Sequence, residues 1–288
     1  MHPKRYNTNH PLQQKNTTLH HKKQPQKIQR NNIHKKWNKT HRSDNMIIVL
    51  DDIKLLKTPI NVISSTVIEA ELQFKEDGLT INCIDKSHII FFSLFIHKDS
   101  FRHYTTENET ICLDMEELNA VLNKAKKDDS LRINQTDFKA KLTLTLTDEY
   151  VTKKYTLSTI EMNETAPRAP RIDNDTKVTL PSPEFKQYIN DVDLKSTDRI
   201  KLITQADTLT IESVGLTNNN QIIIPLMETV EKDSKSIYDL GYINTILQAT
   251  KYSDEVTIEY GDDLPLTVTY GDYDNTFKAI LAPRIEEE

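Results

Sequence analysis

Met115-Glu116-Glu117-Leu118-Asn119-Ala120-Val121-Leu122-Asn123-Lys124-Ala125-Lys126 runs into the acidic turn Lys127-Asp128-Asp129-Ser130, and then into two segments of a different rhythm, Leu131–Asn134 and Lys139–Leu146. In the first stretch Leu118, Val121, Leu122 and Ala125 fall at i, i+3, i+4 and i+7, the spacing of one helical face. Across Lys139–Thr147, Ala140, Leu142, Leu144 and Leu146 alternate with Lys141, Thr143, Thr145 and Thr147, the two-residue period of a half-buried strand. The stretch reads as helix, tight turn, strand, turn, strand.

Working outward, the same unit occurs three more times, and a repeated unit decides architecture before any single motif does. One copy precedes it: a helix within Asp51–Thr66, strands Glu69–Phe74 and Thr80–Ile84, and the turn Glu76-Asp77-Gly78 between them. A third has a helix at Ser182–Val192, with Phe185, Tyr188, Ile189 and Val192 on one face, then strands Asp198–Ile203 and Thr208–Ser213. The fourth has Asp239–Lys251, with Ile243, Ile246, Leu247 and Thr250 on one face, then Glu255–Glu259 and Leu264–Tyr270. Ile89–Ile96 is apolar almost throughout, which predicts a strand buried on both faces or lying beneath helices. Between the second and third units, Ile160–Thr176 has no period. It carries Pro167 and Pro170, which favour extended chain and block a helix. The predicted organisation is an α+β chain: one domain over 46–159, a connecting loop over 160–177 and a similar domain over 178–288.

Composition sets limits on function. Of 288 residues 36% are hydrophobic and 28% charged, enough for a packed core under a heavily charged surface. Five glycines in the whole chain argue against phosphate sites built on glycine-rich loops. The two cysteines, Cys83 and Cys112, form no CxxC pair, so neither a disulfide framework nor a Cys-based zinc site is expected. No apolar run approaches the ~20 residues of a helical membrane span. The formal net charge of −6 hides an asymmetry: residues 1–45 hold 11 Lys/Arg against the single acid Asp44, whereas the remainder holds 26 Lys/Arg and 42 Asp/Glu. Residues 1–45 are rich in Asn, Gln, Lys, His and Thr and are expected to be a disordered basic tail, since they bury too little apolar surface to offset ordering. The abrupt change at Met46 also fits translation starting there.

Enzyme chemistry finds little support. The three histidines beyond the tail, His88, His97 and His103, show no HExxH or paired metal-ligand spacing. Asp85 with His88 could form a base and its orienter, but no nucleophile motif accompanies them. Asp51-Asp52, Asp128-Asp129 and Asp262-Asp263 sit where aspartate caps helices or shapes turns. No catalytic residue, cofactor or metal is expected.

Several segments resemble the proliferating cell nuclear antigen (PCNA) family of DNA sliding clamps, and its archaeal members in particular. Ile84-Asp85-Lys86-Ser87-His88-Ile89 is similar to the family's M-D-S-S-H-V segment. Thr179-Leu180-Pro181-Ser182-Pro183-Glu184-Phe185 resembles the junction that opens the second domain, and Lys127-Asp128-Asp129-Ser130-Leu131 the turn after a helix. The ending Leu281-Ala282-Pro283-Arg284-Ile285-Glu286-Glu287-Glu288 is close to L-A-P-K-I-E-E-E, with Arg284 where the family has lysine. The four matches stand in consistent order over 46–288.

The resemblance implies a homotrimeric ring that encircles duplex DNA without reading its sequence. Helices would line the hole and sheets the outside. It implies tethering of DNA polymerase, the clamp loader and other proteins that carry a short clamp-binding peptide. It implies a cytoplasmic, nucleoid-associated protein (nuclear in a eukaryote) with no membrane partner. The channel would carry Lys54, Lys57, Lys124, Lys126, Lys127, Lys186 and Lys251, while Asn123, Gln187, Asn190 and Gln248 stand where relatives are basic. The partner peptide would dock against Ile84, His88, Ile89, Ala166, Pro167, Pro170, Pro265, Ile280, Leu281, Ala282 and Pro283. For the apolar members core packing is the competing reading, nearly equal for Leu281. Subunits would join by edge strands Thr152–Leu157, with Lys153, Lys154 and Tyr155, and Asn219–Ile224, with Gln221, Ile222, Ile223 and Ile224. The alternatives are a subunit of a heterotrimeric or checkpoint-type clamp, or an interaction module that never touches DNA.

Overall fold

The computed structural model describes residues 46–135, 140–161, 166–193, 197–215, 220–227 and 232–285. The tail expected over residues 1–45 lies outside the described residues, as do Lys139, Asn219 and part of the connecting loop. Strand β1 (Ile47–Leu50) leads into helix α1 (Lys54–Ile63). There follow β2 (Glu69–Lys75), β3 (Gly78–Ile84), β4 (Ile90–His97), β5 (His103–Thr105) and β6 (Thr110–Asp114). Helix α2 (Met115–Leu122) precedes β7 (Ser130–Gln135), β8 (Lys141–Thr147) and β9 (Thr152–Ser158). Beyond an irregular stretch come β10 (Thr176–Pro181), α3 (Ser182–Val192), β11 (Thr197–Gln205), β12 (Thr208–Gly215), β13 (Asn220–Pro225) and β14 (Ser234–Asp239). Helix α4 (Leu240–Ile246) tightens into a 3-10 segment (Leu247–Lys251), and β15 (Glu255–Tyr260), β16 (Leu266–Gly271) and β17 (Asn275–Leu281) complete the order.

The fourfold unit is therefore present, with helices shorter than the apolar period predicts. After Leu122 the backbone turns to i→i−3 bonds, Lys124 N–H to the Val121 carbonyl and Ala125 N–H to that of Leu122. The Asp129 carboxylate then accepts the Lys126 amide (3.0 Å), which ends the helix while Ala125 still packs on the core. Aspartates start two of the helices: Asp114 accepts from Glu117 N–H (2.9 Å) and Asp239 from Tyr242 N–H (3.1 Å). Each such cap contributes about 1 kcal/mol. The Glu76-Asp77 turn closes on Gly78, where φ is 152° and a Cβ would meet the Ile96 carbonyl oxygen at 2.2 Å, so only glycine fits.

Three antiparallel sheets result, in the orders β5-β1-β7-β8-β9, β10-β15-β16-β17-β4-β3-β2-β6 and β13-β12-β11-β14. The central eight-stranded sheet is continuous because β17 pairs with β4, placing Ala279 opposite Phe92 and Leu281 opposite Ile90. Phe92 and Phe277 stack across this seam with ring centroids 5.9 Å apart. β4 is buried on both faces only over Ile90, Phe91 and Phe92; from Ser93 it alternates, with Phe95 and His97 partly open. α1 packs against α2 and against the 3-10 segment, and α3 packs on that segment too, so the helices form one row over the strands. Asn61 of α1 donates to the Gln248 side chain across that row (3.1 Å).

Candidate partner-binding and DNA-facing surfaces

The turn between β3 and β4 is built by one carboxylate. Asp85 is 4% exposed, and its Oδ1 accepts the amides of Ile89 (2.7 Å) and Ile90 (2.9 Å) while Oδ2 accepts that of Ser87 (3.2 Å). This holds His88 at φ 56°, left-handed and strained for a residue with a Cβ. Tyr242 of α4 donates its hydroxyl to Asp85 Oδ2 (3.1 Å). Burial first, and the Asp85 charge with it, raises the Tyr242 hydroxyl above its usual value, so it stays a donor.

Beside this turn lies a cleft walled by Val67, Ala70, Cys83, Ile84 and Pro167, rimmed by Glu69, Glu71, Asn82 and Lys86, and opening at His88 and Ala166. Glu71 fixes its far side by accepting the amide of Ala166 (3.3 Å). Of the expected peptide-docking residues, the structure brings Ile84, His88, Ala166 and Pro167 to this cleft. Ile89, Ala282 and Pro283 are half-buried next to the turn, where the Ala282 amide donates to the Ile89 carbonyl (2.9 Å). Pro265 is half-buried in the loop before β16, and Pro170 is exposed. Ile280 is 7% exposed and Leu281 fully buried, both within the β17–β4 ladder, which agrees with core packing. Missing from the sequence reading are Glu69 and Glu71, which strand alternation points outward, and Asp85, whose spacing to Ser87 is an Asx-turn signal.

On the helical row Lys54, Lys124, Lys186 and Lys251 are exposed and take no ion pair among the described residues. Lys127 is exposed in the turn after α2. Two of the expected channel lysines are engaged within the chain: Lys57 Nζ donates to the Ala125 carbonyl (3.4 Å) and Lys126 pairs with Asp148 (3.5 Å). Asn123, Gln187, Asn190 and Gln248 are all solvent-facing, so neutral amides interrupt the lysines.

The expected joining strands both end a sheet, β9 in the five-stranded one and β13 in the four-stranded one. On β13 Gln221 and Ile223 face outward while Ile224 is buried and Ile222 packs on the core. On β9 Lys154 is exposed and Tyr155 half-buried against the core. Lys153 turns back on its own chain, to the Lys124 carbonyl (3.2 Å) and to the buried carboxylate of Asp129 (3.5 Å). The acidic pairs are engaged within the chain: Asp52 accepts the Lys54 amide two residues on, while Asp51 pairs with the distant Arg102 and Asp262 accepts the distant Lys235 amide. Among the described residues no three His, Cys, Asp or Glu side chains form a metal-binding group. No helix of the described residues is long and apolar enough to cross a membrane.

A row of helices bearing lysines, backed by three antiparallel sheets, two of which have β9 and β13 as edge strands, defines a clamp-type scaffold. Solved structures share that fold: the PCNA2–PCNA3 complex of Sulfolobus tokodaii (TM-score 0.76, 24% identity, covering 84% of this chain and all of that one) and PCNA of Entamoeba histolytica (TM-score 0.77, 19% identity, with the same coverage). Residues 46–166 match the family model for the PCNA N-terminal domain. The DNA polymerase sliding clamp of Methanothermobacter thermautotrophicus is 32% identical over 242 residues, which span 83% of this chain and 98% of that protein. The DNA polymerase sliding clamp 1 of Thermococcus kodakarensis is 29% identical over 251 residues. The chain belongs to the PCNA family of DNA polymerase sliding clamps.

Proposed function

We propose that this chain closes with two further copies of itself into a ring around duplex DNA and acts as a processivity factor, holding DNA polymerase, clamp loader and repair proteins by short peptides. Its role is tethering, with no catalysis of its own. The carrying observation is that one row of helices and their C-terminal ends presents exposed Lys54, Lys124, Lys186 and Lys251, while β9 and β13 end two different sheets, each with one side open. Two different edges on one chain join head to tail, and a head-to-tail contact that closes gives a ring. Exposed lysines without carboxylate partners attract phosphates irrespective of sequence, which a sliding contact needs. The interruption of that row by Asn123, Gln187, Asn190 and Gln248 makes the attraction weak and favours sliding. The cleft beside the Asp85–Ile90 turn, apolar within and bordered by the extended linker, suits an extended peptide.

Two measurements on the full chain test this. Light scattering over a range of concentrations should give the mass of three chains, and clamp-loader-treated protein should stay on closed circular DNA but run off once it is linearised. A persistent monomer that becomes a ring only with a different clamp chain points to a heterotypic assembly. Equal loss from circular and linear DNA overturns encirclement.

A further inference from the structure

The turn that carries His88 and Ile89 is held from a distance, through a closed circuit of hydrogen bonds that includes the segment following the C-terminal strand. The circuit starts at Arg284. Its two terminal guanidinium nitrogens grip two carboxylates from different elements, Asp198 of β11 (Nη1, 3.0 Å) and Asp239 at the start of α4 (Nη2). Its amide also donates to the Ile237 carbonyl of β14 (2.7 Å). Asp239 uses its other oxygen to cap α4 at the Tyr242 amide (3.1 Å). The Tyr242 side chain, on that same first turn, reaches Asp85 (3.1 Å), and Asp85 holds the amides of Ser87, Ile89 and Ile90. The Ala282 amide, two residues before Arg284, closes the circuit on the Ile89 carbonyl (2.9 Å).

We propose that Tyr242 and Arg284 are positioning residues for the peptide-docking turn: Arg284 fixes Asp239, Asp239 sets the first turn of α4, and Tyr242 thereby holds Asp85 and the left-handed His88 in place. This rests on the reading that the turn and its cleft capture partner peptides. Three features make the circuit more than packing. Asp85 is buried and must have its oxygens satisfied, so losing the Tyr242 donor removes one of four hydrogen bonds to that carboxylate. His88 is strained and stays in place only while its surroundings over-determine it. Arg284 bridges two separate aspartates with a planar fork, which a lysine ammonium cannot reproduce.

The test uses the full chain with Tyr242→Phe, Arg284→Lys and the double variant. The probe is a short fluorescein-labelled synthetic peptide with leucine and phenylalanine anchors. Fluorescence anisotropy gives the peptide Kd, and hydrogen exchange followed by NMR reports the Ile89 and Ile90 amides, with Val268 in the central sheet as the internal reference. Each single variant should weaken the peptide about two- to tenfold, the worth of one hydrogen bond. Each should also speed exchange at Ile89 and Ile90 while leaving Val268 unchanged. Because the two residues act in series, the double variant should fall short of the product of the single effects. Wild-type affinity and wild-type exchange in Tyr242→Phe overturn the proposal. The same result in Arg284→Lys alone removes Arg284 from it. Uniformly faster exchange, Val268 included, makes the contacts merely structural and also overturns it. A wild-type chain that does not bind the peptide, or binds it equally well with Ile84→Glu, defeats the docking reading itself and is recognisable before any positioning variant is measured.

Discussion

Replacing Ile223 by serine should loosen the ring without unfolding the subunit. Ile223 lies on the edge strand β13 and is 57% exposed in the single chain, so its side chain contributes little to the core it sits on. Fully burying an isoleucine is worth about 1.5–3 kcal/mol, so burying the exposed part of Ile223 against a neighbouring strand contributes about 1–1.7 kcal/mol per interface. That corresponds to a subunit contact about five- to twentyfold weaker in the variant. A ring of three has three such contacts, and the assembly from free chains loses roughly 3–5 kcal/mol. Light scattering across a dilution series is the assay, with the midpoint of dissociation moving to higher concentration. Chemical denaturation of the dissociated chain should shift by no more than about 0.5 kcal/mol, as for a solvent-facing substitution. Tyr273→Ser is the control: Tyr273 is 98% exposed, in the turn between β16 and β17, and its loss should not alter assembly. An unchanged dilution curve for Ile223→Ser, or one matched by Tyr273→Ser, would refute the assignment of β13 to the interface.

Other outcomes follow from single residues. Changing Lys54, Lys186 or Lys251 to glutamine should each lower the slope of log affinity for duplex DNA against log salt by about one, with no sequence dependence; a slope that does not move removes that lysine from the DNA-facing surface. Leu281→Ala should cost about 2–5 kcal/mol in denaturant unfolding, since Leu281 is fully buried opposite Ile90, and a loss of peptide affinity with unchanged stability would contradict its place in the core. Burial would raise the Asp198 carboxyl, but Arg284 and Arg199 override it and hold it below the usual carboxylate range. A depressed folded value contributes stability that is complete above the unfolded pKa of about 3.9 and is lost as pH falls through the folded value. Asp198→Asn should therefore flatten the melting temperature against pH over that acid window, and an unaltered profile counts against the ion pair. Burial pushes the Cys83 thiol up to about 12 and, with the charges of Glu69 and Glu71, the Cys112 thiol to about 11. Iodoacetamide at neutral pH should leave both intact in the native chain and label them after denaturation; fast native labelling would show that the strands open.

Much of this architecture is local, and local features are what a single sequence can specify. The i, i+3, i+4, i+7 spacing in Leu118–Ala125 and the alternation in Leu142–Leu146 arise from the geometry of one helix and one strand. The same helical and strand periods mark the other three units. The caps at Asp114 and Asp239 act within three residues of themselves, whereas the aspartates read from the sequence as caps and turns were the pairs at 51–52, 128–129 and 262–263. Outward-facing edges at β9 and β13 were also legible, because a run such as Gln221-Ile222-Ile223-Ile224 signals a strand wanting a partner. Periodicity carries no information about which strand meets which. That β17 pairs with β4 and welds the central sheet, and so buries Leu281, was decided by tertiary structure. The contact of Lys153 with Asp129 likewise joins residues 24 apart that only the turn after α2 brings together. The circuit from Arg284 through Asp239 and Tyr242 to Asp85 joins positions 45 and 157 residues apart, a coincidence in space that only the packed chain creates. Sequence alone determined the repeating elements and their exposed edges, because these depend on neighbours along the backbone. The folded chain decided the pairing of strands, the partners of buried charges and the shape of the Asp85–Ile90 turn, because those depend on neighbours across it.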